Sequence, residues 1–157
     1  MSNELKQHLR KRIEDWGQSF AKDLKAIPEE HLGASPSGIA RAPIDFTYEV
    51  AVVNRRIANR IGGGENPPWP FEGWVTAPEE FRDRDKALAE LDESVQAVVA
   101  ALDAFPAEKL SEEVETPNGP YTVAGLADMV GTHMAYHDGQ LNYLQSLYGD
   151  NNIHWQD

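Results

Sequence analysis

The sequence contains no cysteine. This absence excludes disulfide bonds, thiolate metal ligands and a cysteine nucleophile. Basic residues are also scarce: the sequence has 14 of them and 26 acidic residues, which gives a formal net charge of −12 at neutral pH. Because a surface of that sign repels phosphate groups, we expect no nucleic-acid partner.

Long hydrophobic runs are missing as well. No apolar stretch approaches the roughly 20 residues that a membrane-spanning helix needs. The first residues, MSNELKQHLRKR, lack the apolar centre of a signal peptide. We therefore expect a cytoplasmic protein with no membrane partner. The glycine triplet at 62–64 has neither a preceding strand nor a following Lys-Ser/Thr pair, so no phosphate-binding loop is predicted.

The 157 residues, of which 41% are apolar, suit one domain spanning 1–157. Proline interrupts helices, and the ten prolines fall into three groups. Each stretch between these groups has apolar residues at helical spacing, and no segment alternates as a strand does. The four stretches are about 3–26, 43–61, 78–105 and 122–148. The sequence therefore predicts an all-α fold, a four-helix bundle with long connecting loops.

Local signals predict where two of these helices begin. Pro78 and the two glutamates after it are expected to open the third helix, because acidic residues suit a helix N-terminus. Thr122 is the expected N-cap of the fourth helix. The connection at 62–77 is expected either to cross over the bundle or to line a site. Its ring-rich part, 66–74, either walls a pocket or anchors the loop by packing.

The apolar stripe of the fourth helix becomes polar in its middle. His133 and His137 are four residues apart and share one helical face, with Gln140 one turn further on. Two neutral imidazoles in this arrangement can bind a divalent ion such as zinc, nickel or iron. The alternative is that each ring bonds to a neighbouring group and no metal binds. Gln140 is expected either to orient a ligand or to satisfy a nearby backbone group.

A metal site here needs a third ligand from another helix. Glu49 lies at the edge of the buried stripe of the second helix and would complete a set of two histidines and one carboxylate. The alternative is that Glu49 lies at the rim and pairs with Arg55 or Arg56.

The other histidines are weaker ligand candidates. His8 flanks the apolar face of the first helix and is expected at its boundary. His31, in a proline-bounded loop, and His154, in the tail, are expected at the solvated surface.

The stretch HMAYHDGQL at 133–141 resembles the DinB/YfiT-like family of bacterial metal-binding four-helix bundles. Members carry one histidine on the second helix and a His-x-x-x-His pair, followed by Gly-Gln, on the last. The stretch YEVAVVNRR at 48–56 also looks like the family's second helix, but Glu49 stands where the first histidine is usual. The resemblance therefore implies either a mixed metal site of Glu49, His133 and His137 or the loss of tight binding.

A second departure from the family is Asp138, where members often carry arginine. Consecutive residues of a helix point about 100° apart, so Asp138 is expected to face away from the target of His137. We predict a surface position for it.

The resemblance implies a metal-dependent enzyme acting on a small molecule. Characterised relatives include transferases that join a low-molecular-weight thiol to an electrophile, and the same open metal position would serve hydrolysis. The alternative is a non-catalytic metal- or small-molecule-binding stress-response module with a degenerate site. Because the family's bundles often pair, a homodimer is one expected assembly.

Overall fold

All four apolar stripes form long α-helices in the computed structural model, which describes residues 2–156. The helices are α1 (Ser2–Ala26), a short α2 (Glu29–Leu32), α3 (Pro43–Ile61), α4 (Arg84–Ala104) and α5 (Val123–Leu147). Short 3-10 turns occur at Glu79–Phe81, Ala107–Lys109 and His154–Gln156. The predicted all-α bundle with long connecting loops is confirmed.

The four long helices pack around one core. α1 lies against α4 and α5, and α3 lies against the same two helices. α1 and α3 are therefore diagonal to each other, and the segment 27–42 between them crosses the bundle. Large apolar side chains such as Phe20, Leu91 and Leu126 fill the centre and are almost fully buried. None of the helices within residues 2–156 combines the length and apolar character needed to cross a membrane.

The connection at 62–77 joins neighbouring helices, α3 and α4, so it does not cross the bundle. Its rings pack on one another: Trp69 lies edge-on to Phe71, and Phe71 lies edge-on to Tyr48 of α3. Trp74 instead lines a pocket. The ring-rich part of this connection therefore packs against α3 and also supplies part of a pocket wall.

The third helix begins later than predicted. Glu79–Phe81 forms a 3-10 turn, and α4 starts at Arg84 after the N-cap Asp83. The Asp83 carboxylate accepts a hydrogen bond from the Lys86 amide at 2.8 Å, which satisfies a free N–H group at the helix start. Pro78 offers no such side-chain cap, and this is the physical reason for the shift.

A short β-hairpin was not predicted. β1 (Glu113–Thr116) pairs antiparallel with β2 (Gly119–Thr122), with Thr116 opposite Gly119. Gly119 has a φ of +99°, which suits glycine at this tight turn. β1 alternates exposed and partly buried residues but over only four positions, and β2 does not alternate, whereas the Asn118-Gly119 pair is a hairpin signal that the sequence did offer. Thr122 ends β2 and, as predicted, caps α5 by accepting from the Gly125 amide at 3.0 Å.

Candidate metal centre

Three side chains from two helices converge between α3 and α5. Glu49 Oε1 lies 3.6 Å from His133 Nε2 and 3.7 Å from His137 Nε2, and the two nitrogens are 3.1 Å apart. These helices are neighbours in the bundle, and the i, i+4 spacing places both rings on the face of α5 that Glu49 approaches. The structure thus brings together all three residues that the sequence suggested as ligands.

The spacing of these three atoms fits a metal ion. The point equidistant from them lies about 2.0 Å from each atom, and zinc binds histidine nitrogen and carboxylate oxygen at about 2.0–2.2 Å. His137 is 2% exposed, whereas the side chains of His133 and Glu49 are each 19% exposed. The cluster therefore lies at the edge of the core, with two of its three side chains partly accessible to solvent.

Gln140 contacts the deeper of the two histidines. Its Oε1 lies 2.7 Å from His137 Nδ1, and because a carbonyl oxygen only accepts, Nδ1 carries the proton. This leaves Nε2 of the neutral ring with its lone pair directed at the cluster. The ring of Phe46 stacks against His137 at 5.4 Å between centroids and covers one side of it. Nδ1 of His133 is buried with no hydrogen-bond partner among the described residues.

Glu49 pairs with an arginine that the sequence reasoning missed. Arg41 Nη2 lies 2.5 Å from Glu49 Oε2 and also donates to the carbonyls of Asp45 and Val75, each at 3.2 Å. Arg41 precedes α3 in the crossing segment, and no helical spacing links it to Glu49. Only the tertiary fold reveals this pair.

The predicted alternative pairing of Glu49 with Arg55 or Arg56 is wrong. Arg55 pairs with Glu90 at 2.5 Å and with Glu93 at 3.4 Å, both on α4. Arg56 donates to the backbone carbonyl of Pro67 at 2.7 Å. Arg55 therefore links α3 to α4, and Arg56 links α3 to the connection at 62–77. Neither contacts Glu49.

The charge of Glu49 is set by opposing effects. Burial raises the pKa of its carboxyl group, but the polar nitrogens of His133 and His137 and the positive charge of Arg41 lower it further than burial raises it. The net result is a pKa below the ordinary value, so Glu49 is ionised at neutral pH. An ionised carboxylate beside two imidazole nitrogens is a donor set suited to a divalent cation.

Asp138 is not at the surface, contrary to the prediction. It does point away from the target of His137, but it faces α1 and is 2% exposed. Its carboxyl group hydrogen-bonds with that of Asp23, a fully buried residue of α1. Because α5 packs against α1 on one side and α3 on the other, two residues about 100° apart on α5 enter two different interfaces.

The remaining histidines lie outside the cluster. His8 is exposed on α1. His31 and His154, both expected at the solvated surface, are partly buried, and His31 stacks on Tyr148 with ring centroids 3.9 Å apart. His154 Nε2 lies 2.7 Å from an Asp150 carboxylate oxygen.

A four-helix bundle with a potential ligand set of two histidines and one carboxylate defines the structural class of this protein. The model of the DinB superfamily matches residues 12–141, and the chain belongs to that superfamily. The matched region contains Glu49, His133, His137 and Gln140.

Solved structures share the fold at low sequence identity. A DinB-like protein from Bacillus subtilis has a TM-score of 0.70 and 14% identity, with 93% of this chain and 94% of that chain covered. A conserved protein from Enterococcus faecalis has a TM-score of 0.72 and 16% identity, with coverage of 92% and 97%. A DinB-like protein from Bacillus cereus has a TM-score of 0.64 and 16% identity, covering 85% and 86%. No curated protein is significantly similar to this chain in sequence.

Proposed function

We propose that this chain is a metal-dependent enzyme that binds one divalent ion through Glu49, His133 and His137 and acts on a small molecule. The main supporting observation is that one point lies about 2.0 Å from all three donor atoms, which is a metal–ligand distance. The ionised state of Glu49 supports the proposal as well. Zinc, nickel and iron(II) all suit such a ligand set, and their supply in the cell decides among them.

A metal ion at the cluster would serve chemistry on a thiol or on water. A divalent ion bound there would supply Lewis acidity that lowers the pKa of a thiol or water and makes it nucleophilic at neutral pH. Gln140 would fix the orientation of His137 through its hydrogen bond, and Phe46 would exclude water from one side.

We propose transfer of a low-molecular-weight thiol to an electrophile as the reaction, as the family resemblance implies. The thiol sulfur forms a bond to an electrophilic carbon, the bond from that carbon to its leaving group breaks, and the leaving group departs with the electron pair. The thiol proton passes to solvent. Cytoplasmic location and homodimerisation stay predictions.

One observation favours the alternative of a non-catalytic module with a degenerate site. Arg41 already supplies a positive charge 2.5 Å from Glu49, and that charge opposes the binding of a cation at the same carboxylate. In this alternative the Arg41–Glu49 pair replaces the metal and the cluster serves only packing.

Metal content tests the proposal. We expect the wild-type chain, loaded with zinc at neutral pH and desalted, to retain one ion per chain by elemental analysis. Glu49→Ala and His133→Ala should each retain less than a tenth of that amount. Glu93→Ala, which removes an exposed carboxylate of α4, is the matched control and should retain as much zinc as the wild type.

Two further outcomes separate the alternatives. If the wild type retains no metal and its melting temperature does not change with zinc, the metal centre is disproved and the degenerate site is supported. If it binds zinc but does not conjugate glutathione, bacillithiol or mycothiol to 1-chloro-2,4-dinitrobenzene faster than the protein-free reaction, the thiol-transfer step is rejected.

A further inference from the structure

A pocket of about 470 Å³ adjoins the metal cluster. Two residues of its wall, Phe46 and Gln140, contact His137 directly, so a molecule in the pocket lies beside the cluster. The rest of the wall is mostly apolar or aromatic. Its largest members are Ile39, Trp74, Tyr143, Leu144 and Leu147. The volume suits a small molecule with an apolar body.

Arg41 is the one charged residue among the described residues that line this pocket. Its side chain is only 10% exposed, and its guanidinium carbon lies 5.1 Å from the centroid of the Phe46 ring and 5.4 Å from that of Trp74. The two rings hold the guanidinium group at the pocket wall. A positive charge therefore stands in an otherwise apolar cavity.

The hydrogen-bonding capacity of Arg41 is incompletely used. Nη2 meets Glu49 and two backbone carbonyls, but Nε is buried with no hydrogen-bond partner among the described residues. A buried donor without an acceptor is costly, and an arginine donor is satisfied best by a carboxylate. A divalent ion on Glu49 would also reduce the negative charge that faces Arg41, which favours a second anion.

We propose that this pocket binds a small amphipathic carboxylate. The carboxylate accepts from the guanidinium group of Arg41, and the apolar body lies against Trp74, Tyr143 and Leu147 and extends towards the cluster. Identifying this molecule as the substrate rests on the proposed function, but its binding does not require the metal. The pocket therefore selects a carboxylic acid over a neutral molecule of the same shape.

A matched pair of probes tests the charge requirement in metal-free protein treated with EDTA. We expect 4-phenylbutyrate to bind at least tenfold more tightly than 4-phenylbutan-1-ol by isothermal titration calorimetry. Arg41→Met should reduce this preference to less than twofold. Arg55→Met, which removes an exposed arginine outside the pocket, makes the same change in net charge and should leave the preference unchanged.

A second variant keeps the test valid if Arg41→Met fails to fold. Trp74 is 71% exposed, so Trp74→Ala should leave the circular dichroism spectrum unchanged and weaken binding of both probes by at least fivefold. Equal affinity of the two probes for the wild type would overturn the proposal, as would an acid preference that persists in folded Arg41→Met.

The outcomes also separate this proposal from the metal centre and from self-association. A preference for the acid in a protein that retains no zinc supports the pocket and rejects the metal centre. A second copy of the chain could instead cover exposed Ile39 and Leu147. A dimer that excludes 4-phenylbutyrate and that Trp74→Ala dissociates, seen by light scattering, would overturn the small-molecule assignment.

Discussion

Helix α5 directs two consecutive residues into two polar clusters that differ in charge. His137 faces α3, where it meets the ionised carboxylate of Glu49 beside the guanidinium group of Arg41. Asp138 faces α1, where its partner is the carboxyl group of Asp23. Asp23 in turn accepts from the side-chain amide of Asn142 at 2.8 Å and, at 3.4 Å, from that of Gln145. We call these the histidine cluster and the aspartate cluster.

The difference shows how neighbouring charge decides the state of a buried carboxyl group. In the histidine cluster, the neighbouring imidazoles and a nearby cation lower the pKa of Glu49, so its carboxyl group is ionised at neutral pH. In the aspartate cluster, burial and the neighbouring carboxyl group of Asp23 raise the pKa of Asp138 to about 8. Asp138 therefore keeps its proton at neutral pH beside the carboxyl group of Asp23 in the α1–α5 interface, and offers a cation less negative charge than Glu49 does.

The largest expected effect comes from removing the acceptor at the centre of the aspartate cluster. Asp23→Ala leaves the amides of Asn142 and Gln145 buried with fewer partners, so we expect a loss of about 3 kcal/mol in the free energy of unfolding. Urea denaturation of the metal-free protein measures it. Asp15→Ala, on the same helix but exposed, should change the free energy by no more than about 0.5 kcal/mol.

A loss below about 1 kcal/mol in Asp23→Ala would show that the aspartate cluster does not hold α1 to α5. The contrast between a structural and a ligand-binding cluster would then fail.

An intermediate effect is expected from the amide that contacts the histidine cluster. Gln140→Ala removes the acceptor for His137 Nδ1 and should lower zinc affinity about tenfold, since such partners orient and polarise a metal ligand. Competition with a chromophoric chelator measures this. Asn142→Ala, which removes an amide of the aspartate cluster, should leave zinc affinity unchanged. Equal effects of the two variants would mean that the clusters are not independent.

The third expected effect is on the pH dependence of stability rather than on stability at one pH. The folded-state pKa of Asp138 lies above its value of 3.8 in the unfolded chain, so the stability contributed by its protonated form is complete below about pH 4 and declines as the pH rises to about 8. Asp138→Asn cannot titrate there. Between pH 5 and pH 8, the free energy of unfolding of this variant should therefore rise by at least about 1 kcal/mol relative to that of the wild type. Urea denaturation at each pH measures it. Parallel pH profiles of the two proteins would contradict the raised pKa of Asp138.

Much of the fold and of the histidine cluster follows from local sequence signals. The prolines and the apolar stripes predict the helices, and the Thr122 side chain caps α5 as expected. The i, i+4 spacing of His133 and His137 places both rings on one face of any α-helix, independently of the tertiary structure. Glu49 could be suggested because a carboxylate at the edge of a buried stripe needs a positive partner.

The features that were missed depend on which helices are neighbours. Arg41 lies in the irregular segment just before α3, eight residues before Glu49, and no helical periodicity records that contact. Asp138 was placed at the surface because a helix with one partner has one buried face, whereas α5 has two partners. The hairpin at 113–122 has strands of only four residues, so the alternation of β1 is too short to identify a strand without the Asn118-Gly119 turn signal.

The cluster residues and several pocket residues come from different kinds of segment, and this affects how such proteins can change in evolution. Glu49, His133 and His137 all come from helices whose backbone is fixed by the core, whereas Ile39, Arg41 and Trp74 come from the two long connections. Insertions or deletions in those connections can reshape what the cavity accepts while leaving the three ligand side chains where they are. The lining of the pocket can therefore change on this scaffold without altering the proposed metal centre.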